Sequence, residues 1–244
     1  MLWAVSMEAV AVVVLSRSRR RWLRAFAAAL LAVSTTAPQL RVARLRYERQ
    51  IAHPVRRQIR ASLAAEFDAI VHCYREFDVS DIAVQVFVVR RASLARAEEL
   101  QRLERVCLAE LPLRGGTGWA PGYGVIGRCW QEDRILVCDL RDLYQLYATE
   151  AEWAAAPPSV RMGLSWDEAR ALLDRYTGTI AVPFHDADGQ VAGVVSMDCL
   201  KGADFQRFLK DELALRETIV SLASASRVIA RVLSDWDRGE ALWS

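Results

Sequence analysis

The stretch that most constrains the fold of this chain is Thr177-Gly-Thr-Ile-Ala-Val-Pro-Phe-His185, the turn Asp186-Ala-Asp-Gly189, and then Val191-Ala-Gly-Val-Val-Ser-Met-Asp198. Two short β-rich runs joined through an Asp-Gly turn are predicted to pair as a hairpin. Phe205 then opens a long helical pattern whose apolar stripe runs through Leu213, Ile219, Leu222, Ile229 and Leu233. A hairpin backed by a terminal helix is the rear of a sheet-plus-helix domain. Within it, Pro183 removes a ladder donor and is expected at an edge or bulge. Gly193 is expected where another backbone or side chain comes close.

Upstream, Leu40, Ala43, Tyr47, Ile51, Val55, Ile59, Leu63, Phe67, Ile70 and Tyr74 recur at helical spacing, with Pro54 interrupting. This predicts a connector helix to about Ala52 and a second helix starting near Pro54, where proline suits the first turn. Ile82–Val89 reads as a strand, and a second strand is expected around Arg105–Leu111, with polar Arg91–Gln101 between them as a loop or short helix. Tyr123–Trp130 begins with glycine but takes helix-like spacing, and Arg134–Asp139 is again strand-like. Ser165-Trp-Asp-Glu168 carries the signature of a capping box. The order predicts an α+β domain with a central antiparallel sheet flanked by helices, preceded by a hydrophobic, helical N-terminal segment.

Charge is unevenly spread. Residues 1–60 hold twelve arginines against Glu8 and Glu48, a surplus of ten positive charges, so a net charge of +2 leaves the remainder at −8. An acidic body argues against nucleic-acid binding, which needs a basic face. Met1–Leu15 and Ala25–Leu40 are apolar runs separated by Arg17-Ser-Arg-Arg-Arg21-Trp22-Leu23-Arg24. Both are shorter than the ~20 residues of a comfortable span. The arginines follow the first run, the reverse of a signal peptide. A short span with an interfacial helix, a hairpin, and two helices packed on the body are all compatible with the pattern. The reading adopted places residues 1–40 at the cell membrane surface, 41–53 as connector, 54–235 as a cytoplasmic domain and 236–244 as a tail.

Gly124-Val-Ile-Gly127, Ile135-Leu-Val-Cys-Asp139, Gly178-Thr-Ile-Ala-Val-Pro183 and Gly189-Gln-Val-Ala-Gly-Val-Val195 resemble, in order and spacing, the elements of a GAF domain, a small-molecule sensor fold. The resemblance runs from about Val55 to Leu233; Gly178 or Thr179 stands where the family has a serine. It implies a regulatory module that binds a small molecule and signals through a partner or self-association, with a homodimer as one form.

The candidate pocket lies between the sheet and residues 117–176. Its candidate ligand-binding residues are Trp119, Tyr123, Asp139, Asp142, Tyr144 and Tyr147, because aromatic walls with a few fixed polar groups suit a concave site. No cofactor is assigned. His185-Asp186-Ala-Asp188 could be ligands, but at a hairpin turn they read as a solvated loop, and no metal is expected. The five cysteines lack zinc-site spacing. The chain also resembles free methionine sulfoxide reductase, an enzyme of the same fold that uses one cysteine after the glycine turn and another before the hairpin. Here Ile126 follows Val125, and no cysteine precedes Gly178 in that region. No catalysis is therefore expected. The alternatives are a redox enzyme using Cys129 and Cys138, and a ligand-free structural dimer. The pattern typical of cyclic-nucleotide-binding members is absent.

Overall fold

The computed structural model describes residues 54–75, 78–90, 98–108, 119–200 and 204–241, the side chains of Tyr144 and of residues 237–241 excepted. The expected membrane segment 1–40 and connector 41–53 lie outside the described residues. Among the described residues no helix is long and apolar enough to cross a membrane.

Five strands form one antiparallel sheet: β1 (Ile82–Arg90), β2 (Glu99–Cys107), β3 (Leu136–Asp139), β4 (Tyr176–His185) and β5 (Val191–Leu200), in the order β2-β1-β5-β4-β3. This is the α+β architecture expected from the sequence. The hairpin pairs Ile180 with Met197 and Val182 with Val195. Asp186 holds its turn, with Oδ1 accepting from the backbone N–H of Asp188 (3.0 Å) and Gln190 (2.9 Å). β3 ends its pairing at Ala181, so β4 has an open side where Pro183 stands. A Cβ on Gly193 would lie 2.2 Å from the Phe87 carbonyl oxygen, so the close approach read from the sequence is real.

Strand alternation sorts the side chains onto two faces. Ile82, Val84, Val86, Ile180, Val182, Val195 and Met197 share one face and its core. Against them pack helix α1 (residues 54–73) through Ile59, Leu63 and Ile70, and the C-terminal helices through Phe205, Phe208, Leu222 and Ile229. Each such side chain, fully buried, contributes about 1.5–3 kcal/mol of transfer free energy. The other face carries Phe87, Leu100, Ala181 and Val194, covered by helix α2 (Gly124–Glu132). β5 is covered on both sides, which is why its sequence is a nearly unbroken apolar run.

Two sequence expectations need correction, the place of the second strand and the continuity of the terminal helix. The second strand is Glu99–Cys107, which overlaps the expected Arg105–Leu111 only at its end. It is an edge strand with partly exposed side chains on both faces, and a register shift opposite Val86/Phe87 skips Leu103 and breaks its alternation. The tyrosine- and tryptophan-rich stretch after Asp139 folds into three short helices, α3 (Leu140–Leu146), α4 (Glu150–Ala155) and α5 (Pro158–Arg161), before α6 (Trp166–Leu173). The terminal helix is two helices, α7 (Phe205–Lys210) and α8 (Glu212–Ala241). Asp211 separates them, its carboxylate accepting from the Ala214 N–H at 3.0 Å, so it acts as an N-cap.

Candidate functional site

A cavity of about 110 Å³ lies between the sheet and the layer of helices α2 to α6. Its floor is the second sheet face, with Phe87 and Gln85 from β1, Thr179 from β4 and Asp198 from β5. Its roof is apolar: Trp119, Val125 and Ile126, Leu140, Met162 and Leu164, and Leu172.

Local chemistry places each roof element. Trp119 is pinned to the start of β2 by reciprocal bonds, Leu100 N–H to Trp119 O (2.9 Å) and Trp119 N–H to Leu100 O (3.1 Å). Helix α2 then begins at Gly124, whose φ of +62° favours glycine; a Cβ there would stand 2.5 Å from the Trp119 ring. The Gly124 N–H donates to the Met162 carbonyl at 2.8 Å, tying α2 to the end of α5. Trp153 on α4 donates its indole N–H to Leu164 O at 3.1 Å. Both halves of the predicted capping box are present at α6: the Glu168 N–H donates to Ser165 Oγ (3.3 Å), and the Ser165 N–H donates to the Glu168 carboxylate (2.9 Å). That cap holds the helix carrying Leu172.

The polar end is built by strand register. Thr179 is directly opposite Asp198, and Gln85 is diagonal to it, being opposite Ser196. Thr179 Oγ1 donates to Asp198 Oδ1 at 3.0 Å, and Gln85 Nε2 donates to Asp198 Oδ2. Arg102 Nη1 donates to Gln85 Oε1 at 3.3 Å. Asp198 is 7% exposed. Burial pushes its carboxyl up to about 6, against the opposing pull of Thr179, Arg105, Gln85 and Arg102. Burial also raises the Tyr176 phenol, and the neighbouring Asp198 charge adds to that. Arg175 and Tyr176 complete this end of the cavity.

Of the six residues singled out in the sequence, Trp119 is in the cavity wall. Tyr123 packs on Trp119 with ring centroids 6.1 Å apart and is hydrogen-bonded through its hydroxyl to Glu168. Asp139 caps α3, accepting from the N–H groups of Arg141 (2.9 Å) and Asp142 (3.4 Å), while its Oδ2 is buried without a partner. Asp142 is exposed and accepts from Gln206 Nε2 at 2.7 Å. Tyr147 packs edge-on against Trp153 in a separate small cluster with Leu164. The Tyr144 side chain is not among those described. Asp198, Gln85, Thr179 and Arg102 are site residues that the sequence reading does not single out. A signal for two of them exists: Gln85 and Asp198 are polar residues inside otherwise apolar strands.

The thiols sit differently from a reactive pair. Cys129 is fully buried on α2, and burial raises it to about 12, with Asp133 and Glu132 adding to the effect. Cys138 on β3 is raised to about 11, chiefly by burial and then by Asp139. His185 pairs with Asp133 at 2.7 Å, and among the described residues no group of three or more His, Cys, Asp or Glu side chains could hold a metal ion.

No family model matches the chain, and no curated protein matches it. Solved structures that it resembles include the free methionine-R-sulfoxide reductase from Neisseria meningitidis, at TM-score 0.40 and 18% identity over 78% of this chain and 91% of that one. Another is the type II free methionine-R-sulfoxide reductase from Thermoplasma acidophilum, at TM-score 0.43 and 13% identity over 76% and 96%. A third is the GAF domain/HD domain protein from Geobacter sulfurreducens, at TM-score 0.43 and 13% identity over 72% and 95%. The expectation that catalysis is absent is corrected by this finding, because two of these three structures are enzymes. At such identities and scores the likeness assigns no activity to this chain.

Proposed function

We propose that the body is a GAF-like small-molecule-binding module whose ligand occupies the cavity between the sheet and helices α2 to α6. The observation that carries this reading is the cavity's division into an apolar roof and one polar end, where buried Asp198 is held in place by Gln85 and Thr179. Apolar walls with a few oriented polar groups are the usual make-up of a ligand site. Binding would order the roof helices and shift an existing equilibrium between conformations, with output to a partner protein or to a second copy of the chain. The test is native mass spectrometry of the purified full chain beside an Ile126→Trp variant, which fills the cavity. A small-molecule adduct on the wild type alone supports the reading. An identical mass profile for the two, together with no stabilisation of the wild type by any member of a metabolite library, overturns it.

The attachment of this module to a membrane is a separate proposal, and it rests on the sequence of residues 1–40. Two apolar runs flank a cluster of five arginines there, the pattern of a segment held at an anionic lipid surface. A fluorescent fusion of residues 1–60 is expected in the membrane fraction after lysis; a wholly soluble fusion contradicts the proposal.

A further inference from the structure

Helix α8 buries Leu222, Ala225, Ile229 and Leu233 against the sheet. On its opposite side Leu213, Val220 and Val228 are 66%, 57% and 45% exposed. Glu217, Ser224 and Arg231 are exposed beside them. Leu213, Glu217, Val220, Ser224, Val228 and Arg231 follow one another at steps of three or four. Steps of that size keep side chains on one helix face and make the seam of a coiled coil.

The seam is its own complement when reversed. Val220 and Val228 stand four residues before and after Ser224, and Glu217 and Arg231 stand seven before and after it. A two-fold axis at Ser224 therefore sets Val220 on Val228 of a second copy, and Glu217 on Arg231 of that copy, each pair occurring twice. Residue i meeting j while j meets i is the mark of an isologous contact. Ser224, a small residue at the crossing, lets the two helix axes come near. Parallel helices would instead oppose Glu217 to Glu217 and Arg231 to Arg231, like charges that disfavour that direction. Glu217 also accepts from the Cys73 thiol of α1, a weak donor that leaves the carboxylate able to accept from an arginine.

We propose that α8 docks on α8 of a second copy of this chain, antiparallel and crossing at Ser224. The valines pack near the centre, the Glu217–Arg231 pairs flank them, and Leu213 and Asp235 make the outermost layers. The pairing names the surface for the self-association in the reading above, and it does not depend on the cavity being occupied. Charge complementarity favours a second copy, because the opposite charges sit at equal distances on either side of one residue.

The experiment is disulfide cross-linking in the full chain. Val220→Cys and Val228→Cys variants, carrying different tags, are co-expressed and oxidised, with the wild type treated alike to set the background from the native thiols. A cross-link between the two variants is expected, at least tenfold above that of either variant expressed alone. Self-linking of each variant would mean parallel helices and overturns the proposal. No link above background, as when residues 1–53 or another protein cover the stripe, overturns it too. Sedimentation supplies an independent reading. Glu217→Arg and Arg231→Glu are each expected to weaken self-association roughly tenfold, and the double exchange is expected to restore it. A double variant no better than either single one overturns the antiparallel pairing.

Discussion

Gln85 on β1 donates its side-chain amide to Asp198 on β5, two residues along from Ser196, which is directly across the ladder, in the interior of the sheet. The bond joins two polar side chains that the apolar runs around them would otherwise exclude. It fixes a carboxylate that faces the cavity, the only one to do so among the described residues, and leaves it destabilised by burial.

That destabilisation has a pH signature. The folded-state value of about 6 lies above the roughly 4 of an exposed aspartate. The folded state then holds its proton more tightly than the unfolded chain. The penalty is absent below about pH 4, grows as pH rises to about 6, and is complete above that. The facing charges are Arg105 and Arg102 of β2, which reduce the penalty without removing it, and the neutral Tyr176 phenol stands nearby. Asp198→Asn is expected to raise stability by roughly 2–3 kcal/mol at pH 8 and to leave it unchanged at pH 4, as read from denaturant unfolding at both pH values. Equal stability of the two proteins at pH 8 would show that Asp198 is not disfavoured in the fold.

Gly124 is expected to tolerate no side chain. Its φ of +62° and the 2.5 Å approach to Trp119 both oppose a Cβ. Gly124→Ala should cost about 1–3 kcal/mol and shift the Trp119 ring out of the roof. Both effects are measurable, the first by denaturant unfolding and the second by NMR of the Trp119 indole N–H.

The cap of α6 is a smaller lever on the same roof. Ser165→Ala removes one half of the box and should cost about 1 kcal/mol. Because Leu172 lies on that helix and in the cavity wall, hydrogen exchange should quicken across residues 166–173 with little change in α8. Equal quickening in both helices would mean a general loss of stability in place of a local loosening.

Much of this fold is legible in the sequence because period-two and period-3.6 patterns report burial directly. The hairpin, α1 and the Ser165 cap follow from residues whose local chemistry and tertiary placement agree. β2 is hard to place because a bulged edge strand has neither full alternation nor a continuous apolar run. The break at Asp211 is hidden by an apolar stripe that continues on both sides of it. The cavity is harder still. Aromatic richness points to Tyr147, Trp153 and Trp166, which pack on one another in a satellite cluster. The polar end depends on Gln85, Thr179 and Asp198 meeting across three strands, and only the register brings them together.

The thiols give a further test. With Cys129 raised to about 12 and Cys138 to about 11, the thiolate fraction at pH 7 is on the order of 10⁻⁴ or less, and the thiolate is the reacting form. Cys199, raised well above its ordinary value by burial, belongs with them. Alkylation followed by mass spectrometry should leave all three unmodified in the native protein and modify them after denaturation. Rapid native labelling of the half-buried Cys138 would contradict the upward shift of its thiol.

The most direct measurement is methyl NMR of the full chain during titration with the members of a metabolite library. Filling of the cavity by a small molecule should shift the methyl signals of Val125, Ile126, Leu164 and Leu172 and leave those of Ile59, Leu222 and Ile229, across the sheet, in place. Unmoved cavity methyls with every member of the library, or equal shifts on the two faces, would contradict the account.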